Sequence, residues 1–346
     1  MPNRMCSLFV KVAALSVFVV TGAGGCGGGG SKASIPDGST CAPGSATGSS
    51  GMTGIASNSS TQQYWASVAS SSDGTNLVAV AGGVMVCGKV YSSSYCDSVV
   101  GGIMVGGYIY TSTDSGATWT LTTAPQQLWQ SVASSSDGTK LVAAGYTLDP
   151  DGNWVGGYVY RSSDSGATWT QTGPQQEWKS VASSADGTKL VAVVSGYLNA
   201  GYIYTSADSG ATWTQTGTRQ GWWSVASSSD GTKLVAVAGG IFNVDYIYTS
   251  ADSGATWTQT GTRQGWWSVA SSSDGMKLVA AAYLGDIYAS TDSGATWKLT
   301  TAPPTTWTSV ASSSDGTRLV AVDNSGDIYT STDSGATWTL TTAPQQ

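Results

Sequence analysis

An all-β fold, a six-bladed β-propeller of four-stranded antiparallel blades, is predicted by three features of this 346-residue sequence. One pattern, W-x-S-V-A-S-S-x-D-G-T-x-L-V-A followed by I-Y-x-S-x-D-S-G-A-T-W-T, recurs six times from Trp65 onward. Each copy holds four short apolar or β-branched runs separated by turn residues, as a meander of strands requires. Composition agrees: 10% of residues are charged and 46 are glycine, against a usual charged fraction of ~25%. Stacking small sheets radially leaves only short, protected edges.

Within the first copy the strands are expected at 65–70, 77–81, 108–112 and 118–122. The second is apolar on consecutive residues, Leu77-Val78-Ala79-Val80-Ala81, as expected when both faces of a sheet are covered by neighbours. Its approach turn carries Asp-Gly at Asp73, Asp137, Asp186, Asp230, Asp274 and Asp315. Glycine there takes the left-handed conformation that closes the hairpin, so these aspartates are read as turn formers. Residues 202–231 repeat identically as 246–275, which points to a recent duplication within the chain.

Charge and residue inventory exclude several functions. Histidine is absent and Glu177 is the only glutamate, so the 21 acidic residues are 20 Asp and one Glu. Most His- or Glu-dependent catalysis is thereby ruled out. The formal charge is 14 − 21 = −7, with no basic stripe for phosphate, which argues against nucleic acid and anionic membranes as partners.

The N-terminus reads as an address. Arg4 and Lys11 accompany an apolar stretch from Leu8 to Val20, short for a span of ~20 residues but suited to a signal-peptide core. Ala23-Gly24-Gly25-Cys26 then resembles a bacterial lipoprotein cleavage box, departing from it at Ala23, where leucine is usual. That resemblance implies lipidation of Cys26, export, and an outer-membrane or surface location in the cell envelope. The expected organisation is a signal peptide over 1–25, a Gly/Ser-rich tether over 26–64 and the propeller over 65–346. Cleavage removes Arg4 and Lys11 and leaves 12 − 21 = −9.

Cys41, Cys87 and Cys96 remain in the exported chain. Cys87 and Cys96 lie in one insertion, Val84 to Val105, whose alternation reads as a protruding hairpin that a disulfide would clamp in an oxidising compartment. Pairing of either with Cys41 is equally compatible with the spacing.

The turn between the third and fourth strands carries Ser-x-Asp-Ser-Gly-Ala-Thr-Trp in all six copies, with Asp114, Asp164, Asp208, Asp252, Asp292 and Asp333. This motif resembles the Asp-box, or bacterial neuraminidase repeat, of β-propellers that include sialidases, sortilin-type receptors, endoglucanases and photosystem assembly factors. The resemblance implies a structural role: each Asp hydrogen-bonds its own hairpin, and Trp119, Trp169, Trp213, Trp257, Trp297 and Trp338 pack in the blades. Sialidase activity does not follow, because three arginines grouped for a substrate carboxylate are missing. Arg161 and Arg318 sit beside the structural turns, and only Arg219 and Arg263 lie near the other face.

The two faces of the ring differ. From each box Asp to the next Asp-Gly the spacing is 22 or 23 residues, whereas from Asp-Gly to the box it runs 41, 27, 22, 22, 18, 18. Only the loops between second and third strands change length, so the functional surface is expected there, on variable loops over a rigid frame. The same face receives the first residue of each repeat, Trp65, Trp129, Trp178, Trp222, Trp266 and Trp307. Indoles at a channel mouth have the chemistry to stack on sugars; their identical recurrence suits wedges between blades equally well. Trp154, Trp223 and Trp267 break the repeat. The candidate ligand site is therefore Trp223, Trp267, Trp154, Trp222, Trp266, Arg219 and Arg263.

Two weaker features complete the inventory. Asp149, Asp151 and Asn153 alternate oxygen ligands as in a calcium loop, without the EF-hand glycine and distal glutamate, and read primarily as a turn. Asp286 and Asp327 precede the third strands of adjacent blades, and facing sheets ~10 Å apart put such a pair near the upper limit for an inverting glycosidase. The expected protein is thus a monomeric, non-enzymatic envelope binder of carbohydrate or protein, without metal or cofactor. A glycoside hydrolase of non-sialidase type is the alternative.

Overall fold

The computed structural model describes residues 65–86, 103–149, 154–195, 201–240 and 244–342, and among these no helix occurs. Six four-stranded antiparallel sheets follow one another along the chain as the blades of a β-propeller. In blade 1 the strands are Trp65–Ser70, Leu77–Ala81, Ile109–Ser112 and Thr120–Leu121, so the expected third and fourth strands are trimmed at their ends. The first strands of the other blades are Leu128–Ser134, Trp178–Ser183, Trp222–Ser227, Trp266–Ser271 and Trp307–Ser312. They pack on one another in succession and are the innermost strands. An additional hairpin pairs Val84–Val86 with Ile103–Val105 in the insertion of blade 1; its tip, with Cys87 and Cys96, lies outside the described residues.

Every first strand is interrupted at the same place. Trp222 pairs with Ala238 and Ser224 with Val237, leaving Trp223 as the extra residue of a β-bulge, and the shift recurs in all six blades. The bulge explains why Trp222 and Val225, three residues apart, lie in one cluster facing blade 3, which a regular period of two forbids.

Two hairpin turns build the uniform face. In the box of blade 3, Asp208 Oδ1 accepts from Thr212 N at 2.8 Å and Ser206 Oγ at 2.8 Å, while Oδ2 accepts from Thr212 Oγ1 at 2.6 Å. Ser209 is held at φ 55° between this Asp and Gly210, a left-handed conformation that costs a non-glycine residue strain; the Asp–Thr clamp over-determines it. These bonds hold the Asp208 carboxyl near a pKa of about 2, Thr212 contributing most. In the Asp-Gly turns the carboxylate accepts from the hydroxyl two residues before it, as Asp230 does from Ser228 at 2.6 Å.

Blades join through repeated elements. Ser72 N donates to Ser136 O at 2.8 Å, and 2.7 Å bonds then run Ser136 to Ala185, Ala185 to Ser229, Ser229 to Ser273 and Ser273 to Ser314. Hydrophobic clusters fill the same five junctions, with Trp129, Trp178, Trp222, Trp266 and Trp307 each 0% exposed. Among the described residues the ladder does not continue from Ser314 to Ser72. Trp65, Val68 and Leu77 of blade 1 and Val320, Val322 and Ile328 of blade 6 are half-buried, where their counterparts in the other junctions are fully buried. Trp119, expected to pack, is 42% exposed, because its equivalents pack on the cluster preceding their own blade.

Candidate functional site

The bulged residue, the x of W-x-S-V-A-S, differs between blades: Ala66, Gln130, Lys179, Trp223, Trp267 and Thr308. Because the innermost strands are neighbours, these side chains succeed one another around the axis. Gln130 Oε1 accepts from Lys179 Nζ at 3.4 Å, and the same ammonium lies 4.3 Å from the centre of the Trp223 ring. Trp223 and Trp267 meet edge-to-face with ring centres 4.4 Å apart, and Tyr283 follows at 4.7 Å from Trp267. The string runs through four consecutive blades at the level where second strands emerge into the variable loops, which is the face expected to carry function.

Local sequence explains this packing. Gly240, two residues beyond the second strand of blade 4 (Leu234–Ala238), has φ 108°, and a Cβ there would stand 2.4 Å from Trp223 Nε1. Glycine therefore makes room for the indole, whose N–H is buried without a hydrogen-bond partner among the described residues. Partial burial pushes the Lys179 amine down to about 8, since the side chain has exchanged part of its hydration for an amide oxygen and an indole face.

Several expected site residues fall elsewhere. Trp222 and Trp266 are fully buried, each edge-to-face against a tyrosine, Tyr248 at 5.0 Å and Tyr288 at 5.5 Å. They are wedges between blades and offer no face to a ligand, which corrects the stacking role expected of them. Arg219 and Arg263 are exposed on the outermost strands Thr214–Gln220 and Thr258–Gln264, and Arg263 Nε donates to Val244 O at 2.9 Å. Trp154 opens the third strand of blade 2 opposite Leu148; its side chain lies outside the described residues, as do Asp151, Asn153 and Cys26. Lys179, Gln130 and Tyr283 were not singled out from sequence. The one variable position inside W-x-S-V-A-S marks the first two.

The remaining acids make no described catalytic pair. Asp286 and Asp327 each accept a turn bond through the main-chain oxygen, from Ala282 N and Asp323 N, both at 3.1 Å. Asp323 is buried and caps its turn, accepting from Ser325 N and Asp327 N at 2.9 Å. Burial raises the Glu177 carboxyl, and burial together with the Glu177 charge raises the Tyr146 phenol well above its ordinary value. Among the described residues no cluster of three metal-ligating side chains occurs.

No protein family and no curated protein matches the chain. Similarity appears among solved structures. A structure of YCF48 bound to D1 peptide shares 16% identity over 82% of this chain and 83% of that one, with a TM-score of 0.55. YCF48 from Cyanidioschyzon merolae shares 15% over 83% and 87%, with a TM-score of 0.57. The GH74 enzyme of Niastella koreensis aligns at 16% identity over 80% and 65%, with a TM-score of 0.33. At these identities the likeness to the two YCF48 structures supports the β-propeller fold and says nothing about activity.

Proposed function

We propose that this chain is a non-enzymatic binding protein of the cell envelope that takes a carbohydrate or a protein segment at the mouth of its channel. The observation that carries this reading is the contiguous string Gln130, Lys179, Trp223, Trp267 and Tyr283. Its bulge residues are those that depart from an otherwise invariant repeat, and aromatic surface beside a few polar groups is the usual make-up of a ligand site. The box carboxylates, five of them held at a pKa of about 2 by their own hairpins and that of Asp333 lowered likewise, are committed to structure and are too acidic for general-acid work at neutral pH. Attachment through a lipid on Cys26, a disulfide between Cys87 and Cys96, and a monomeric state complete the proposal.

A glycan-array screen of the full chain, peptidoglycan fragments included and run with and without calcium, tests the reading. Binding that is lost in Trp223→Ala supports it. A blank array, followed by an envelope pull-down in which Trp223→Ala captures the same partners as wild type, overturns it. Mass spectrometry of the processed N-terminus tests the lipid separately.

A further inference from the structure

The half-buried Lys179 places its ammonium against the Trp223 ring at 4.3 Å, with one amide contact to Gln130 at 3.4 Å. Among the described residues no carboxylate pairs with it, and its amine is perturbed by desolvation alone. The protein does not lack acids: twelve of its 20 aspartates sit in the paired turns at the opposite face. An enclosed charge without a counter-ion is costly, and an anion that arrives with a ligand recovers part of that cost. Beside it, Trp223 Nε1 is a second donor, buried and unpartnered among the described residues. Half-buried Trp267 extends apolar ring surface away from these donors, and Tyr283, itself buried, backs it.

We propose that this mouth binds a carboxylate-bearing sugar, its acid group on Lys179 and its C–H face against the Trp223–Trp267 pair. The proposal rests on the binding reading above and deepens it. A sugar ring offers both an apolar face for indoles and hydroxyls for Gln130 and the Tyr283 phenol. An acidic peptide satisfies Lys179 through a flexible side chain, whereas a uronic sugar carries its acid group on the same rigid ring whose C–H face packs on an indole, so the acidic sugar is favoured.

The test uses the full chain with tetragalacturonic acid and its methyl ester, which differ in charge while sharing the sugar. Isothermal titration is expected to give at least tenfold tighter binding of the free acid. Lys179→Met should abolish that preference, and Lys179→Arg should retain most of it. Thermal unfolding of each variant checks that it is folded. Equal affinity for acid and ester overturns the proposal, as does a preference that survives Lys179→Met. Lys179-dependent binding of an oligo-Glu peptide with no binding of the tetragalacturonate overturns the sugar and keeps the anion site. Trp223-dependent binding of a neutral glycan alone overturns the proposal while the binding reading stands; no binding of any probe together with the two failures named under the proposed function removes both.

Discussion

The Nζ of Lys179 stands 4.3 Å from the centre of the Trp223 ring, joining the bulged residues of two adjacent blades. Neither residue belongs to the repeat. A cation on an indole face is worth about 0.5–1 kcal/mol in the open and about 2 when desolvated, which offsets only part of the cost of enclosing an ammonium. The contact therefore reads as a site kept for something other than stability.

Lys179→Met is expected to raise the unfolding temperature at pH 7. The amine is lowered from 10.5 to about 8 in the folded protein, so below pH 8 the penalty for enclosing its charge is fully present. Between pH 8 and 10.5 the unfolded chain binds more protons than the folded one, and wild-type stability climbs relative to the variant. Thermal melts from pH 6.5 to 9.5 should show the variant's advantage shrinking above pH 8. A constant gap contradicts this account.

The boxes predict the opposite edge of the pH range. Five of their six carboxyls lie at about 2, against 3.8 for the ordinary group, and that of Asp333 is lowered by the same bonds. A depressed carboxylate contributes stability that is complete above the unfolded pKa and lost as pH falls through the folded one. Stability to urea should therefore be nearly independent of pH above pH 5 and fall from pH 4 to pH 2. Asp208→Asn should flatten that slope and lower stability at neutral pH.

Trp222 and Trp223 are neighbours in sequence with opposite assignments. Trp222, fully buried against Tyr248, should cost about 3–5 kcal/mol when replaced by alanine. Trp223, half-buried over the channel, should cost less than half of that. Chemical denaturation of the two variants separates wedge from site.

The junction between the last and first blades supplies a control inside one molecule. Val237 is 0% exposed, whereas Val322, its equivalent in blade 6, is half-buried. Val237→Ala should destabilise by about 2 kcal/mol and Val322→Ala by under about 1 kcal/mol. Equal losses would show that blade 6 packs on blade 1 as tightly as the other blades pack on one another.

Most of the fold was legible because each repeat states it independently. Asp-Gly fixes one hairpin, the Asp-box the next, and Leu77 to Ala81 is apolar on both faces. Trp222 and Trp266 were harder, since a recurrent Trp at a strand start serves equally as wedge or as platform; only burial decides. Lys179 escaped because a lone lysine in a strand looks solvated. The spacing of Trp178 and Val181, both buried three residues apart, does carry the bulge that aims Lys179 inward, but only once both are known to face one neighbour. The junction of blades 6 and 1 has no sequence signature at all, because Val320, Val322 and Ile328 repeat what every other blade presents.

A crystal structure of the protein with the tightest glycan from the array should show the ligand against Trp223 and Trp267, with an acidic group within hydrogen-bond distance of Lys179 Nζ. Ligand bound instead on the outer strands, beside Arg219 and Arg263, would contradict that assignment.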